Sequence, residues 1–189
     1  MSELLKALLN LPRGAPKLSF TFAPEKAIEA ILYLASRLED PGRHNITHLL
    51  YFADKTSLER YGRFICGDDY YAMQYGPVPT NCYELLKAAE TTDHFGFKTF
   101  PNTYKVQPLR GPNLDLLSES DIICLEKVVQ MYGDLPFWRI RDESHDEAWS
   151  AAWAKRGDKN TERIPLESIV AELENPDELL SFLSNRHST

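Results

Sequence analysis

The sequence predicts a mainly α domain of the α+β kind: a helical domain with a small antiparallel β-sheet or hairpin inserted in the middle. Three observations predict it. Apolar residues recur at helical spacing in the first and last thirds of the chain. Alternation with a period of two is confined to the middle, between residues 70 and 108. Start and stop residues bracket most of the helical stretches. The 189 residues, 43% of them hydrophobic, suit one domain of ordinary size with a real core.

Residues 1–24 read as an N-terminal arm and residues 25–189 as a single domain. Ser2 to Leu9 has the pattern of a short amphipathic helix, and Pro12, Gly14, Pro16 and Pro24 keep the helix from continuing. The first firm helix is expected from Glu25 to Glu39, with Ile28, Ile31, Leu32, Ala35 and Leu38 on one face. Pro24 suits its first position, and Pro41-Gly42 ends it. A second helix is expected from Ile46 to Tyr61, capped by Asn45 and stopped by Gly62. Ile46, Leu49, Leu50, Ala53 and Tyr61 share one face while Phe52 and Leu58 point elsewhere, so this helix should sit centrally.

Tyr70 to Tyr75 alternates as a strand, which Gly76-Pro77-Val78-Pro79 should stop. Thr80 then caps a third helix to Ala89. Phe95–Phe100 and Thr103–Pro108 read as a hairpin turning at Pro101-Asn102. Ser118 and Asp121 form a capping-box variant ahead of a helix to Tyr132, which Gly133 ends. Ser144 and Glu147 repeat that arrangement before a helix carrying Trp149 and Trp153. Two short helices, Pro165–Leu173 and Pro176–Leu183, close the chain.

The net charge is −7. Phosphate neutralisation needs clustered Lys and Arg, so nucleic acid is an unlikely partner on this balance. No apolar run reaches the roughly 20 residues that span a bilayer. Glu3 and Lys6 argue against a signal peptide. Cys66, Cys82 and Cys124 lack disulfide or zinc spacing, which points to a reducing cytoplasm.

A search for chemistry returns little. His44 and His48 have i, i+4 spacing, but Asn45 stands where a zinc hydrolase needs glutamate, so no metal is expected. Ser144-His145-Asp146-Glu147 gathers triad residue types in one run, whereas triads are built from separate segments. No phosphate loop is present and no cofactor is implied. A hydrolase would need Asp54, Asp68 and His145 to converge. A helix–strand–helix–hairpin order loosely suggests a DNA-binding autoregulator, against which Lys98 and Lys105 are too sparse.

The informative stretch is His48 to Leu86, dense in tyrosine. Tyrosine combines an apolar ring with a hydroxyl and is over-used at interfaces. Alternation puts Tyr71, Met73 and Tyr75 on one side of the strand and Tyr70, Ala72 and Gln74 on the other, one side facing the core. The expected partner-contacting residues are Asp68, Asp69, Tyr70, Tyr71, Gln74 and Tyr75: the strand's outward side and an acidic edge.

Five short pieces of this stretch form an ordered signature: Leu49-Leu50-Tyr51-Phe52-Ala53-Asp54, Glu59-Arg60-Tyr61-Gly62, Gly67-Asp68, Tyr75-Gly76-Pro77-Val78-Pro79 and Tyr83-Glu84-Leu85-Leu86. Together with Ser144-His145 and Trp149, they resemble the Panacea domain, the family of SocA-like antitoxins and phage-associated proteins. The resemblance spans roughly residues 25 to 155. It implies an antitoxin of a toxin–antitoxin system that neutralises a cognate protein toxin, often translation-inhibiting, by direct contact. The alternative it carries is a proteolytic adaptor delivering the toxin to an ATP-dependent protease. It implies no enzymatic activity. Leu50, Tyr51, Asp54, Tyr61, Gly62, Gly76, Pro77, Pro79, His145 and Trp149 are then scaffold residues.

Overall fold

The computed structural model describes residues 18–186; the expected Ser2–Leu9 helix lies outside the described residues. It is mainly α, with eight helices, a three-stranded antiparallel sheet and a separate two-stranded hairpin among the described residues. Helix α1 (Pro24–Arg37) buries Ala27, Ala30, Ile31, Leu32, Leu34 and Ala35, and starts on proline as expected. Residues 18–23 run beside the segment after α2: Ala23 N–H donates to the Cys66 carbonyl, and Phe20 packs on Phe64.

Helix α2 (Arg43–Tyr61) is central. Residues from all sides of it are buried, including Leu49, Leu50, Tyr51, Phe52, Ala53, Asp54 and Leu58. It begins three residues before the expected start, and Asn45 is not its cap. Gly42 holds the cap position without a side chain, and the Arg43 N–H is satisfied instead by the Tyr104 carbonyl of the distant hairpin. Tyr61 also departs from expectation: the last turn projects beyond the core and leaves it 38% exposed. Gly62 ends the helix in the left-handed region, as read from sequence.

Strand β1 (Tyr70–Met73) is shorter than expected. The chain reverses at Gln74-Tyr75, and Gly76–Pro79 is not a stop but strand β2, pairing back with Tyr70 opposite Pro79 and Met73 opposite Gly76. Two prolines fit here because β2 lies at the edge of the sheet, where missing donors cost little. On the other side β1 pairs with β5 (Glu162–Arg163), which the sequence did not announce. Tyr70 and Ala72 are buried and Tyr71 and Met73 half-buried, which is the expected alternation. Helix α3 (Thr80–Ala88) comes directly after β2, and the hairpin of β3 (Phe97–Thr99) and β4 (Val106–Pro108) lies where alternation placed it.

A short 3-10 turn (Leu114–Leu116) leads to helix α4 (Glu119–Tyr132), whose Ser118/Asp121 capping box is present. Helix α5 (Phe137–Ser144) was not expected. Its only sequence signals are Pro136 before its first turn and Phe137, Ile140 and Ser144 at i, i+3 and i+7. Ser144 is therefore the buried last residue of α5, bonding the Arg141 carbonyl, and not a cap. The cap of helix α6 (Glu147–Lys155) is Asp146, which accepts from Trp149 N–H. Helices α7 (Leu166–Val170) and α8 (Pro176–Arg186) complete the described chain. α2 touches α1, α3, α4, α5, α7 and β2, so its side chains set the position of nearly everything else.

Candidate partner-binding site

Three carboxylates, Asp54 and Asp68 buried and Asp146 partly so, join the pieces of the domain. Asp54 on α2 accepts from Ile65 N–H at 2.6 Å and from Tyr70 Oη at 2.8 Å, fixing the loop after α2 and the start of β1. Burial lifts its carboxyl to about 7, with Asp68 and Asp121 pushing the same way and the two hydrogen bonds resisting. Asp68 accepts from the N–H groups of Asp69, Asn81 and Cys82 and from Asn81 Nδ2, at 2.8 to 3.0 Å. It caps α3 from outside that helix, where its charge also meets the positive helix end. Asp146 accepts from Tyr51 Oη at 2.8 Å and Lys55 Nζ at 2.7 Å while capping α6.

The β1–β2 turn is clasped from the other side. Trp149 Nε1 donates to the Met73 carbonyl at 3.0 Å, and the His145 ring stacks on Trp149 at 3.7 Å and 3°. Gly76, at φ +125°, lies against the His48 ring and Ser144 Oγ. His48 is buried, and neither of its ring nitrogens has a hydrogen-bond partner among the described residues. The Tyr75 carbonyl faces both His48 and His145 and favours their protonated forms, without completing a hydrogen bond to His48 or to His145 Nε2.

Above these buried groups lies an exposed aromatic face. Tyr75 at the β-turn, Tyr104 from the hairpin and Phe137 from α5 surround His44 at ring separations of 6.0, 5.6 and 5.7 Å. Tyr75 is 47% exposed, Tyr104 45% and the adjacent Trp138 55%. Arg43 stacks on Tyr104 at 4.6 Å and on Tyr83 at 5.1 Å while its guanidinium pairs with Glu90. Tyr104 holds φ +56°, which costs a non-glycine residue about 1 kcal/mol or more. The hairpin tolerates that cost because its backbone is tied to the start of α2: Val106 N–H donates to Pro41, and Arg43 N–H to Tyr104. The result is a half-exposed cluster of Tyr, Phe, His and Arg, a composition rich in the residues that anchor protein partners.

A family described as "Antitoxin SocA-like, Panacea domain" matches residues 46–150, more than half of the chain. The chain belongs to that family. No curated protein and no solved structure matches it. The matched Panacea segment runs from α2 into α6 and contains the three carboxylates and the clasped turn. Of its signature residues, Leu50, Tyr51, Asp54 and Pro79 are buried in the domain or its sheet, Gly76 sits under the turn, and His145 and Trp149 clasp it.

Two of the six expected partner contacts are not at the surface of the Panacea domain. Tyr70 is buried against Tyr51 and Phe64, because the inward side of β1 is the Tyr70/Ala72 side. Asp68 is no acidic edge: it is buried as the cap of α3. Asp69 is exposed but paired with Arg163 at 2.6 Å, Tyr71 is half-buried, and Gln74 and Tyr75 stand out at the turn. Asp54, Asp68 and His145 engage three separate sets of partners and do not converge. Sequence reading missed Tyr104 and Phe137, which reach the face only through the hairpin and the unexpected α5, where the exposed Trp138 follows Phe137. No helix of the described residues is long and apolar enough to cross a membrane, and no three of their His, Cys, Asp or Glu residues are grouped to hold a metal.

Buried His48 and half-buried His44 and His145 predict a pH dependence. Burial holds His48 down to about 3, and burial with nearby Arg43 or Arg141 lowers His44 and His145 as well. A folded-state value below the unfolded 6.5 means stability that is present above pH 6.5 and lost as pH falls below it. His48 alone should remove about 1.4 kcal/mol per pH unit there. Asp54 acts oppositely, because its raised value gives stability present at low pH and lost as pH climbs toward 7. Asp54→Asn removes that opposition. Its melting temperature should fall more steeply than that of the wild type between pH 6.5 and 5, and Asp54→Asn/His48→Phe should flatten the slope. Equal slopes for all three proteins would refute the neutral, buried His48.

Proposed function

We propose that this chain is an antitoxin that neutralises a cognate protein toxin by direct binding, without catalysis, and that the toxin docks on the aromatic face around His44 and Tyr75. The family match over residues 46–150 carries the reading. The exposure of Tyr75, Tyr104 and Trp138 above a tightly held frame supports the location. So does the strained backbone of Tyr104, since strain persists where the surrounding structure holds it for a purpose. Gln74, next to Tyr75 at the turn, would form part of its rim. The working compartment is the cytoplasm, where a toxin acting on translation would be met.

Co-expression with the product of the neighbouring gene tests it. The neighbour should arrest growth alone, and this chain should restore growth and co-purify with it. Tyr75→Ala and Trp138→Ala should each weaken the complex by about 2 kcal/mol, roughly 30-fold in Kd, while melting like the wild type. A harmless neighbour that does not co-purify would end the reading. Toxin half-life separates the two modes of neutralisation: unchanged turnover with restored growth means sequestration, and accelerated turnover means delivery to a protease.

A further inference from the structure

A second surface lies at the far end of α2. There the last turn of α2 and helix α8 enclose a groove of about 410 Å³. Tyr61, Leu179 and Phe182 line it, and Phe182 remains 46% exposed. The walls are tied together. Glu174 N–H donates to Glu59 Oε1, and the Phe182 ring lies so close over Gly62 that a Cβ there would come within 2.5 Å of it. The lining carries two exposed carboxylates, Glu59 and Glu178, against the single cation Arg60, and the exposed Glu174 and Asp177 adjoin lining residues in the chain. The positive end of α8 offsets only about half a charge of this. The whole chain, these residues included, carries −7.

From this charge pattern we propose that the groove docks a basic segment of a partner protein, an apolar or aromatic side chain flanked by Lys or Arg. The apolar side chain would sit between Tyr61 and Phe182, and the flanking cations would meet Glu59 and Glu178. Electrostatic complementarity of this kind raises association rates and excludes acidic partners. One wall, α2, falls within the family-matched residues 46–150 and the other, α8, lies beyond them. The groove thus adds partner selectivity to the shared frame. The inference rests on the reading that this chain works by binding protein, but its test does not need the toxin.

The full chain is titrated with the peptide Lys-Arg-Phe-Lys-Arg and, in parallel, with Glu-Glu-Phe-Glu-Glu, following amide resonances by NMR. The basic peptide should bind saturably and shift Tyr61, Leu179 and Phe182, and the acidic one should not. Glu59→Gln/Glu178→Gln should weaken binding about tenfold, as should raising salt to about 0.5 M. Arg60→Ala should tighten it, a gain that misfolding cannot mimic. Equal shifts from both peptides, no saturable binding, or indifference to all of these charge changes would overturn the proposal. Peptide binding without growth rescue would overturn only the toxin reading.

Discussion

Gly76→Ala should be the most damaging single-methyl change in the domain. The glycine holds φ +125°, a conformation that side chains rarely adopt. A Cβ would arrive 2.6 Å from His48 Cε1 and 2.7 Å from Ser144 Oγ. Neither neighbour has room to give. The His48 ring is buried against Phe137, and Ser144 is the buried end of α5, anchored on the Arg141 carbonyl. Backbone strain and overpacking together should cost on the order of 3 to 5 kcal/mol. In a chain of this size that lowers the melting temperature by on the order of 10 °C. The turn carrying Tyr75 would also be displaced, so the toxin binding proposed for that face should fall even in the fraction that folds. A melting temperature within about 2 °C of the wild type would show that the turn does not lie on His48 and Ser144 as described.

Asp146→Ala should have the second largest effect. It removes the cap of α6, worth about 1 kcal/mol. It also strands the Tyr51 hydroxyl, wholly buried on α2, which costs a further 1 to 3 kcal/mol, on the order of the usual penalty for an unpaired buried donor. Lys55 loses its partner too. The sum is about 2 to 4 kcal/mol. Asp146→Asn keeps an oxygen for Trp149 N–H but puts an amide nitrogen where Tyr51 Oη and Lys55 Nζ donate, so it should recover the cap and little more. Tyr51→Phe removes the stranded group at its source. The double variant Asp146→Ala/Tyr51→Phe should therefore be more stable than the two single costs add up to. Chemical denaturation of the four proteins gives the coupling directly; strict additivity would mean that the two residues do not meet.

These two residues show how far the sequence could be read. Asp146 stood inside a serine-histidine-aspartate run, and the local pattern offered Ser144 as the cap. The choice went to Asp146 because α5 claims Ser144 as its last residue, and α5 itself is held by Ile140 in the core and Phe137 against His48 and Tyr75. Gly76 was legible as part of a family signature, yet it read as a strand stop. It starts a strand because β1 offers an unpaired edge and α2 places His48 where only a glycine fits.

Several features were legible in the sequence alone. Helical spacing in α1 and α2, the Ser118/Asp121 box, the Gly62 stop, the β3–β4 alternation and the ordered signature all depend on neighbours within a few residues, and short-range chemistry decides them. Tertiary structure alone decided what each polar residue does. The dense tyrosine block divides by burial: Tyr51 and Tyr70 are buried and donate to Asp146 and Asp54, and Tyr75 stands outside. Asp68 looked like an acidic edge and became a helix cap, because its oxygens are spent on the N–H groups of Asn81 and Cys82 at the start of α3. The aromatic face draws Tyr104 and Phe137 to His44 from two separate elements, the hairpin and α5. No local rule reaches across such separations: a buried donor takes whatever acceptor the packed core brings to it.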